Sequence, residues 1–462
     1  MLIATNPTTG EEVHRYPPMD DKQVQAAINE SVKAYKEWKE TSYEFRAKLL
    51  KRVAAKMRED IDELAKLMTV EMGKPITEAY GEVEKSAWCA EHYAENGGAY
   101  LSSVDLPSDA THSYVQHLPL GVILGVLPWN APFWLAFRFS APAIMAGNTC
   151  LMKHDEHVPA CAAAIAKVYA EVAEEMGAPK NIMQNLAIHR EQVEAVIKHD
   201  AVQAVSLTGS SKAGSIVASQ AASLIKPAVL ELGGSDPSLV FADADIDAAV
   251  QALVISRIIN AGQSCIAAKR LIVMEEVYDE FIDKLYQGLA ALKMGNPMDK
   301  DTQVGPIARA DLRESLHRQV EMTKQQGGRC ILGGEIPDGP GFFYPVTLLV
   351  DVTPEMQASC EETFGPIAVV MKVNSEDQAM EVANDTQYGL AASIWTKDTD
   401  KAIQLAPKLE AGQVTINGIV KSDPRLPSGG IKRSGYGREL GPHGILEFVN
   451  FQQVWVGPKT DL

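Results

Sequence analysis

An alternation that begins at residue 121 constrains the fold more than any other feature of this chain. From there, short β-rich runs alternate with helical ones: "GVILGVLPW" (121–129), "FWLAFRFSAPAIMAG", "NTCLMKH", "PACAAAIAKVYAEVAEEMG", "NIMQNLAI", "REQVEAVIKH", "AVQAVSLTG" and "SKAGSIVASQAASL". Strands separated by helices of about 10–15 residues specify βαβ units and a parallel sheet. A second series follows Glu231, with "PSLVFADAD", "IDAAVQALVISRIINAG", "KRLIVM", "VYDEFIDKLYQGLAAL", "IAVVMKV", "SEDQAMEVAND" and "QVTING". Two successive blocks predict two doubly wound α/β domains with a cleft between them. At 462 residues and 46% hydrophobic content, the chain exceeds the roughly 250–300 residues that one core organises.

Residues 20–96 read as mostly helical. Asp20 and Asp21 can cap, and "KQVQAAINESVKAYKEW" carries apolar positions at helical spacing. Two segments stand outside the α/β rhythm: "SYVQHLPL" (113–120) and "LEFVNFQQVWVG" (446–457). Both alternate like strands, and we expect them to form an edge that pairs between subunits. The expected organisation is 1–100 with 121–231 as one domain, 232–445 as the second, and 101–120 with 446–462 as a small β extension. That extension would hold a homodimer or homotetramer together.

Charge and cysteine usage narrow the function classes. With 43 basic and 60 acidic residues the net charge is −17, which argues against nucleic-acid binding. The start "MLIATNPTTG" has no basic or apolar targeting pattern, and "GVILGVLPW" is too short to span a bilayer at about 20 residues. A soluble, cytoplasmic protein with no membrane partner is expected. The six cysteines are widely spaced without a CxxC pair, so free thiols are the simpler reading and no metal site is expected.

Several unusual stretches fall where open α/β sheets bind ligands, beyond the C-terminal ends of strands. "SLTGSSKAG" (206–214) follows a strand and opens a helix. It reads as a plain helix start or as a cradle in which Gly209, Ser210 and free N–H groups hold a phosphate. "LMKHDEH" (151–157) ends a strand, where Lys153 and Glu156 either contact a ribose or phosphate or are solvated. "VLELGGSDP" (229–237) puts Glu231 at a strand end beside Gly233 and Gly234. A desolvated glutamate there becomes a base near neutral pH; the alternative is an exposed edge residue. In "NAGQSC" small neighbours leave the Cys265 thiol approachable, and the residue presents both a nucleophile and its own N–H. "LPWNAP" (127–132) offers the Asn130 amide, while Trp129 serves equally as packing. "EETFGP" (361–366) reads on its own as a polar turn.

In this order, over nearly the whole chain, "PWN", "GN" (147–148), "MKHDE", "TGSS", "ELGG", "GQSC", "EETFGP", "ING" and "GGIKRSGYGRELG" (429–441) resemble the aldehyde dehydrogenase superfamily. The 34 residues from Glu231 to Cys265 also match that family's pattern. The resemblance implies an aldehyde-dehydrogenase-like α/β fold and NAD- or NADP-dependent oxidation of an aldehyde to a carboxylic acid through a cysteine thioester. It makes Cys265 the nucleophile and Glu231 the general base. Asn130 and the Cys265 N–H become the oxyanion hole, and Glu439 a proton-relay acid. For the cofactor it implies Lys153 and Glu156 at the adenine ribose, and Gly209 and Ser210 at the pyrophosphate. Glu362 would lie at the nicotinamide ribose and Phe364 against the nicotinamide end, with Trp129, His154, Asp155 and Leu232 as neighbours. There are departures: His154 replaces a common proline, Ser428 a phenylalanine, and Lys212 a frequent acid. Glu156 favours the 2′-hydroxyl of NAD, whereas Lys153 and Lys212 can accept a 2′-phosphate. Use of both cofactors is expected, with a slight lean to NAD.

The substrate is read from "WNAPFWLAFRFSAPAIMAG". Trp134 and Arg138 are four apart and share one face of the predicted helix. An arginine among Phe133, Trp134, Phe137 and Phe139 is costly to bury without an anion. That anion is either a protein carboxylate or a second carboxylate on the substrate. Here, and in "NGIVKSDPRLPSGG" with Ser422 and Arg425, the sequence resembles bacterial succinate-semialdehyde dehydrogenases. Succinic semialdehyde is therefore the expected substrate, with glutaric semialdehyde or a general aliphatic aldehyde behind it. A thiol hydrolase without a cofactor is the reading from another class, and His443 would have to be its base.

Overall fold

A computed structural model describes residues 1–457. The chain opens on a hairpin, Leu2–Thr5 with Glu12–Tyr16, which the sequence reading had not anticipated. Four helices follow: Asp21–Trp38, Tyr43–Glu59, Ile61–Met72 and Ile76–Tyr100. Asp20 caps the first of them in a capping box. Its carboxylate accepts the Gln23 N–H at 2.8 Å, and the Gln23 side chain accepts the Asp20 N–H at 2.9 Å.

The first α/β block forms a sheet in which Met183–Asn185, Thr149–His154, Val122–Leu127, Val202–Thr208 and Ala228–Glu231 lie side by side, all parallel. The strand Thr149–His154 is buried throughout, as expected for a parallel strand covered by helices on both faces. Gly125 lets the helix Pro132–Met145 lie directly on the sheet: a Cβ there would come within 2.5 Å of the Phe139 ring. The second block forms a seven-stranded sheet. Its parallel strands are, in order, Thr347–Val350, Ile367–Val373, Arg270–Met274, Pro237–Val240, Ala391–Trp395 and Gln413–Ile416, with Arg329–Leu332 antiparallel at one edge. Each sheet has its own apolar core.

One stretch crosses the boundary expected at residue 231. Gly435–Tyr436, late in the chain, pairs antiparallel with Leu230 and Glu231 and extends the first sheet. Gly435 has φ +117°, and a Cβ there would sit 2.0 Å from the Leu230 carbonyl oxygen, so only glycine permits this approach.

The two outlying segments form strands, His112–Pro119 and Val449–Val456, which pair with each other within one chain, from Val449 opposite Pro119 to Val456 opposite His112. Alternation marks a half-buried strand without naming its neighbour. Val104–Asp105 pairs with the other edge of His112–Pro119. Among the described residues no strand pairs with the other edge of Val449–Val456, and Phe451 and Trp455 are exposed. Residues 458–462 of the expected extension lie outside the described residues. Among the described residues no helix is long and apolar enough to cross a membrane.

Candidate active site

Because the central strands of the first sheet are parallel, their C-terminal ends open on one edge. Val122–Leu127 delivers Trp129 and Asn130 there, Thr149–His154 delivers Glu156, Val202–Thr208 delivers Gly209 and Ser210, and Ala228–Glu231 ends on Glu231.

The thiol comes from the other block. After the helix Ile246–Ile258, Asn260, Ala261 and Gly262 all adopt left-handed φ, at 54°, 53° and 75°. For asparagine and alanine that is a strained conformation which the surroundings must hold. Glu78 accepts the Asn260 N–H at 2.7 Å, the Arg257 guanidinium donates to the Gly262 carbonyl at 2.9 Å, and Gln263 accepts the Ala308 N–H at 2.9 Å. A Cβ on Gly262 would stand 2.3 Å from the Gly365 carbonyl oxygen, so "GQSC" packs directly onto "FGP". The turn delivers Cys265, half-buried, into a cavity of about 460 Å³ whose wall also carries Asn130, Trp134 and Arg138.

Asn130 is fixed at both ends of its backbone-side-chain unit. Its amide donates to the Gln263 carbonyl at 3.1 Å, and its own carbonyl accepts from the Asn260 side chain at 2.8 Å. The second hydrogen of that amide remains for a ligand in the cavity. Helix Pro132–Met145 begins with proline and no side-chain cap of its own. Instead Glu82 accepts the N–H groups of Phe133 and Trp134 at 2.9 and 3.2 Å, and is itself paired with Lys74.

Glu231 is buried, and one carboxylate oxygen has no hydrogen-bond partner among the described residues. Burial raises its carboxyl well above the ordinary glutamate range, Arg138 opposes that shift, and Glu439 adds to it. The nearest recorded cation, Arg138, stands 3.6 Å from the other oxygen. Arg138 is also buried and forms a hydrogen-bonded ion pair with Glu439, which in turn accepts the Ser206 hydroxyl at 3.1 Å. Of the two anions the sequence left open for Arg138, the structure supplies a protein carboxylate. The Cys265 thiol is pushed up to about 11 by burial, with Lys269 and Arg138 acting against the shift.

The proposed cofactor residues are distributed as follows. Lys153 is buried at its strand end. Glu156 pairs with His189 at 2.8 Å. Ser210 caps the helix Ser211–Ala222 by accepting the Ala213 N–H at 3.3 Å, and the Gly209 N–H donates to the Glu231 carbonyl at 3.0 Å. Glu362 is cradled by the two glycines of "ELGG": the Gly234 N–H reaches it at 3.1 Å, and a Cβ on Gly233 would collide with it at 2.3 Å. Lys269 holds the same carboxylate at 2.8 Å and the Cys265 carbonyl at 2.6 Å. Phe364 meets Trp129 edge to face, with centroids 5.8 Å apart.

Three other residues of the set are engaged inside the protein. His154 is buried and hydrogen-bonds the Pro132 carbonyl at 2.9 Å, which fixes the start of the cavity helix; burial pushes its pKa down to about 4, so it carries no charge. Asp155 binds His157 at 2.6 Å and its pKa is lowered to about 2. Leu232 packs on Gly214, where a Cβ would come within 2.6 Å. The remaining donors fit a dinucleotide. The Thr208 hydroxyl is buried without a partner among the described residues, three residues before a helix N-terminus suited to phosphate.

Ser422 lines the cavity. Arg425 does not: it is exposed, bound to Asp423 at 2.6 Å, with its guanidinium over Trp88. His443 is exposed on the short helix Gly441–Leu446 and is absent from the cavity wall, which leaves a histidine-assisted thiol hydrolase without its base. Sequence reasoning missed Glu82, Glu78, Lys85 and Lys269. Lys269 lies four residues past Cys265 and could have been found from that position, whereas Glu78, Glu82 and Lys85 sit in a helix that reads as solvated.

The chain is 44% identical over 457 residues to a probable succinate-semialdehyde dehydrogenase [NADP(+)] of Synechocystis sp., covering 99% of this chain and 100% of that one. It is 42% identical to the succinate semialdehyde dehydrogenase [NAD(P)+] of Escherichia coli, covering 98% and 97%. Its fold superimposes with a TM-score of 0.95 on the succinic semialdehyde dehydrogenase of Streptococcus pyogenes solved with NADP+, at 36% identity and with 99% and 100% of the two chains covered. Residues 2–454 match the Aldehyde dehydrogenase family, and the chain belongs to that family.

Proposed function

We propose that the chain oxidises succinic semialdehyde to succinate with NADP or NAD, and that Cys265, Glu231 and Asn130 carry the reaction. The observation that supports this best is that one cavity wall carries a thiol, a fixed amide donor and Arg138, which stands 3.6 Å from the buried Glu231 carboxylate, whose other oxygen has no partner among the described residues. Residues 1–100 and 121–231 hold the cofactor through Trp129, Lys153, Glu156, Gly209 and Ser210. Residues 232–445 supply the thiol, with Glu362 and Phe364 reaching back toward the nicotinamide end. When bound, the nicotinamide supplies the two-electron acceptor.

The protein's own steps follow from its charges. With the thiol pushed up to about 11, Cys265 rests protonated and must release its proton to solvent water before its sulfur adds to the aldehyde carbon. The oxygen left negative accepts from the Asn130 amide and the Cys265 N–H. Oxidation at that carbon leaves a thioester on Cys265. Glu231, whose raised pKa makes it a competent base near neutral pH, takes a proton from the attacking water, and the Cys265 thiolate departs. In this reading Glu439, hydrogen-bonded to Ser206 and paired with Arg138, passes that proton onward.

The names of the relatives and the cations in the cavity wall support an acidic aldehyde. The test is turnover of succinic semialdehyde, glutaric semialdehyde and butyraldehyde with each cofactor. A kcat/KM for succinic semialdehyde at least about tenfold above that for butyraldehyde, roughly 1.4 kcal/mol, is expected; equal values refute the substrate. The same reading makes the protein a cytoplasmic homodimer or dimer of dimers, joined at the edge of Val449–Val456 opposite His112–Pro119. A monomer by light scattering at micromolar concentration refutes that part.

A further inference from the structure

Four cations belong to the wall of the Cys265 cavity: Lys74, Lys85, Arg138 and Lys421. Two are already neutralised, Lys74 by Glu82 and Arg138 by Glu439. Lys421 is exposed. Lys85, on the helix Ile76–Tyr100, differs from all three. It is half-buried, and no carboxylate lies within ion-pair distance among the described residues. Its ammonium donates to the Ser422 hydroxyl at 2.9 Å and stands 4.2 Å from the centroid of the Trp134 ring. Ser422 is itself buried, and both Ser422 and Trp134 line the same cavity.

A half-buried lysine whose ammonium touches a hydroxyl and an aromatic face, with Glu82 and Asp423 acting on it only from beyond ion-pair distance and Arg138 repelling it, lacks a direct counter-charge. Burial accordingly lowers its pKa to about 8. A carboxylate arriving in the cavity would supply that charge. We propose that Lys85, braced by Ser422 and Trp134, is the anchor for the carboxylate of the substrate and sets the preference for acidic aldehydes. This rests on the substrate class proposed above and assigns its recognition to Lys85 rather than to Arg138, whose charge Glu439 already balances. Trp134 fits the role: its ring covers the cation from one side, and Lys85, Trp134 and Ser422 line the same cavity.

The test compares Lys85→Met, Lys85→Gln and the unaltered enzyme on succinic semialdehyde and butyraldehyde, reading kcat and KM separately. Both variants should raise KM for succinic semialdehyde by about 10- to 100-fold, the usual effect of losing a charge-assisted hydrogen bond. They should leave kcat within about threefold and KM for butyraldehyde unchanged or lower. Lys85→Arg should recover part of the loss. The unaltered enzyme preferring the acid while both neutral variants keep that preference would overturn the anchor alone. An unaltered enzyme with no preference would overturn the substrate class and the anchor with it. Equal losses on both aldehydes would mark Lys85 as a scaffold residue and also overturn the inference.

Discussion

Replacing Arg138 by leucine tests the charge balance of the site most directly. Arg138 is buried between two carboxylates, paired with Glu439 and 3.6 Å from Glu231. With charges 3.6 Å apart, an effective dielectric of about 20 gives an attraction of about 4–5 kcal/mol. Near neutral pH, removing the guanidinium leaves Glu439 and Glu231 facing each other in a site without water's screening. Hydration and protonation of one acid absorb part of that energy, and the base should titrate about one to two pH units higher than before. The sign is fixed: Glu231 already titrates high because of burial, Arg138 is what holds it down, and Glu439 pushes it up. The rising alkaline limb of steady-state kcat, where hydrolysis of the thioester needs the deprotonated base, should therefore move to higher pH. At pH 7 both succinic semialdehyde and butyraldehyde should slow by the same factor. Breaking a buried pair should also cost about 3–5 kcal/mol of stability, read as a lower denaturation midpoint. The assay is kcat against pH from 6 to 10 for both aldehydes. A loss confined to the acidic aldehyde, with an unmoved pH limb, would refute the reasoning and make Arg138 a substrate clamp.

Other outcomes follow from the same geometry. Cys265→Ala should retain less than about 1% of kcat while cofactor affinity stays near normal; fluorescence titration with NADP checks the second half, and greater residual turnover removes Cys265 as nucleophile. In the enzyme without cofactor, alkylation of Cys265 by iodoacetamide should accelerate as pH rises toward about 11, because only the thiolate reacts; a rate flat from pH 7 would mean a thiol ionised at rest. Glu231→Gln should give a burst of reduced cofactor followed by slow turnover, since hydrolysis alone needs the base, and stopped-flow absorbance at 340 nm separates that from an equal loss of both phases. His189→Ala strips Glu156 of the partner it holds at 2.8 Å, so the bare carboxylate should weaken NADP relative to NAD by about tenfold; an unchanged ratio of dissociation constants would show that the pair does not tune cofactor choice.

How much of this was legible depended on whether a feature is local. The alternating series fixed both parallel sheets, because each βαβ unit carries its own period, and parallel strands necessarily send "PWN", "MKHDE", "TGSS" and "ELGG" to one edge. Asp20 announced its helix because both halves of the capping box lie within four residues. Other features depend on partners far along the chain. The helices that start at Pro132 and Pro159 look uncapped in sequence, yet Glu82 and Glu71 cap them from 51 and 89 residues away. Arg138 plainly needed an anion, but its partner lies 301 positions later. Lys85 sits beside Glu84 in a stretch whose charges look like a solvated face, and only packing of Trp134 and Ser422 against it gives it a role. Arg425 promised a substrate contact by position, and a neighbour two residues away, Asp423, took it instead.

The short strand Gly435–Tyr436 bears on the order in which the enzyme can be made. It completes the first sheet at Leu230 and Glu231, about two hundred residues after those positions leave the ribosome. Glu439 and Gly429, which abut Arg138 and Glu231, belong to the same late stretch. Domains fold during synthesis from the N-terminus, so a nascent chain can assemble the parallel strands and even display Cys265 while its base still lies at an unfinished sheet edge. Contacts of such long range form slowly, and this one arrives only when translation is nearly over. Chains halted before residue 435 would carry a thiol without a finished hydrolytic apparatus.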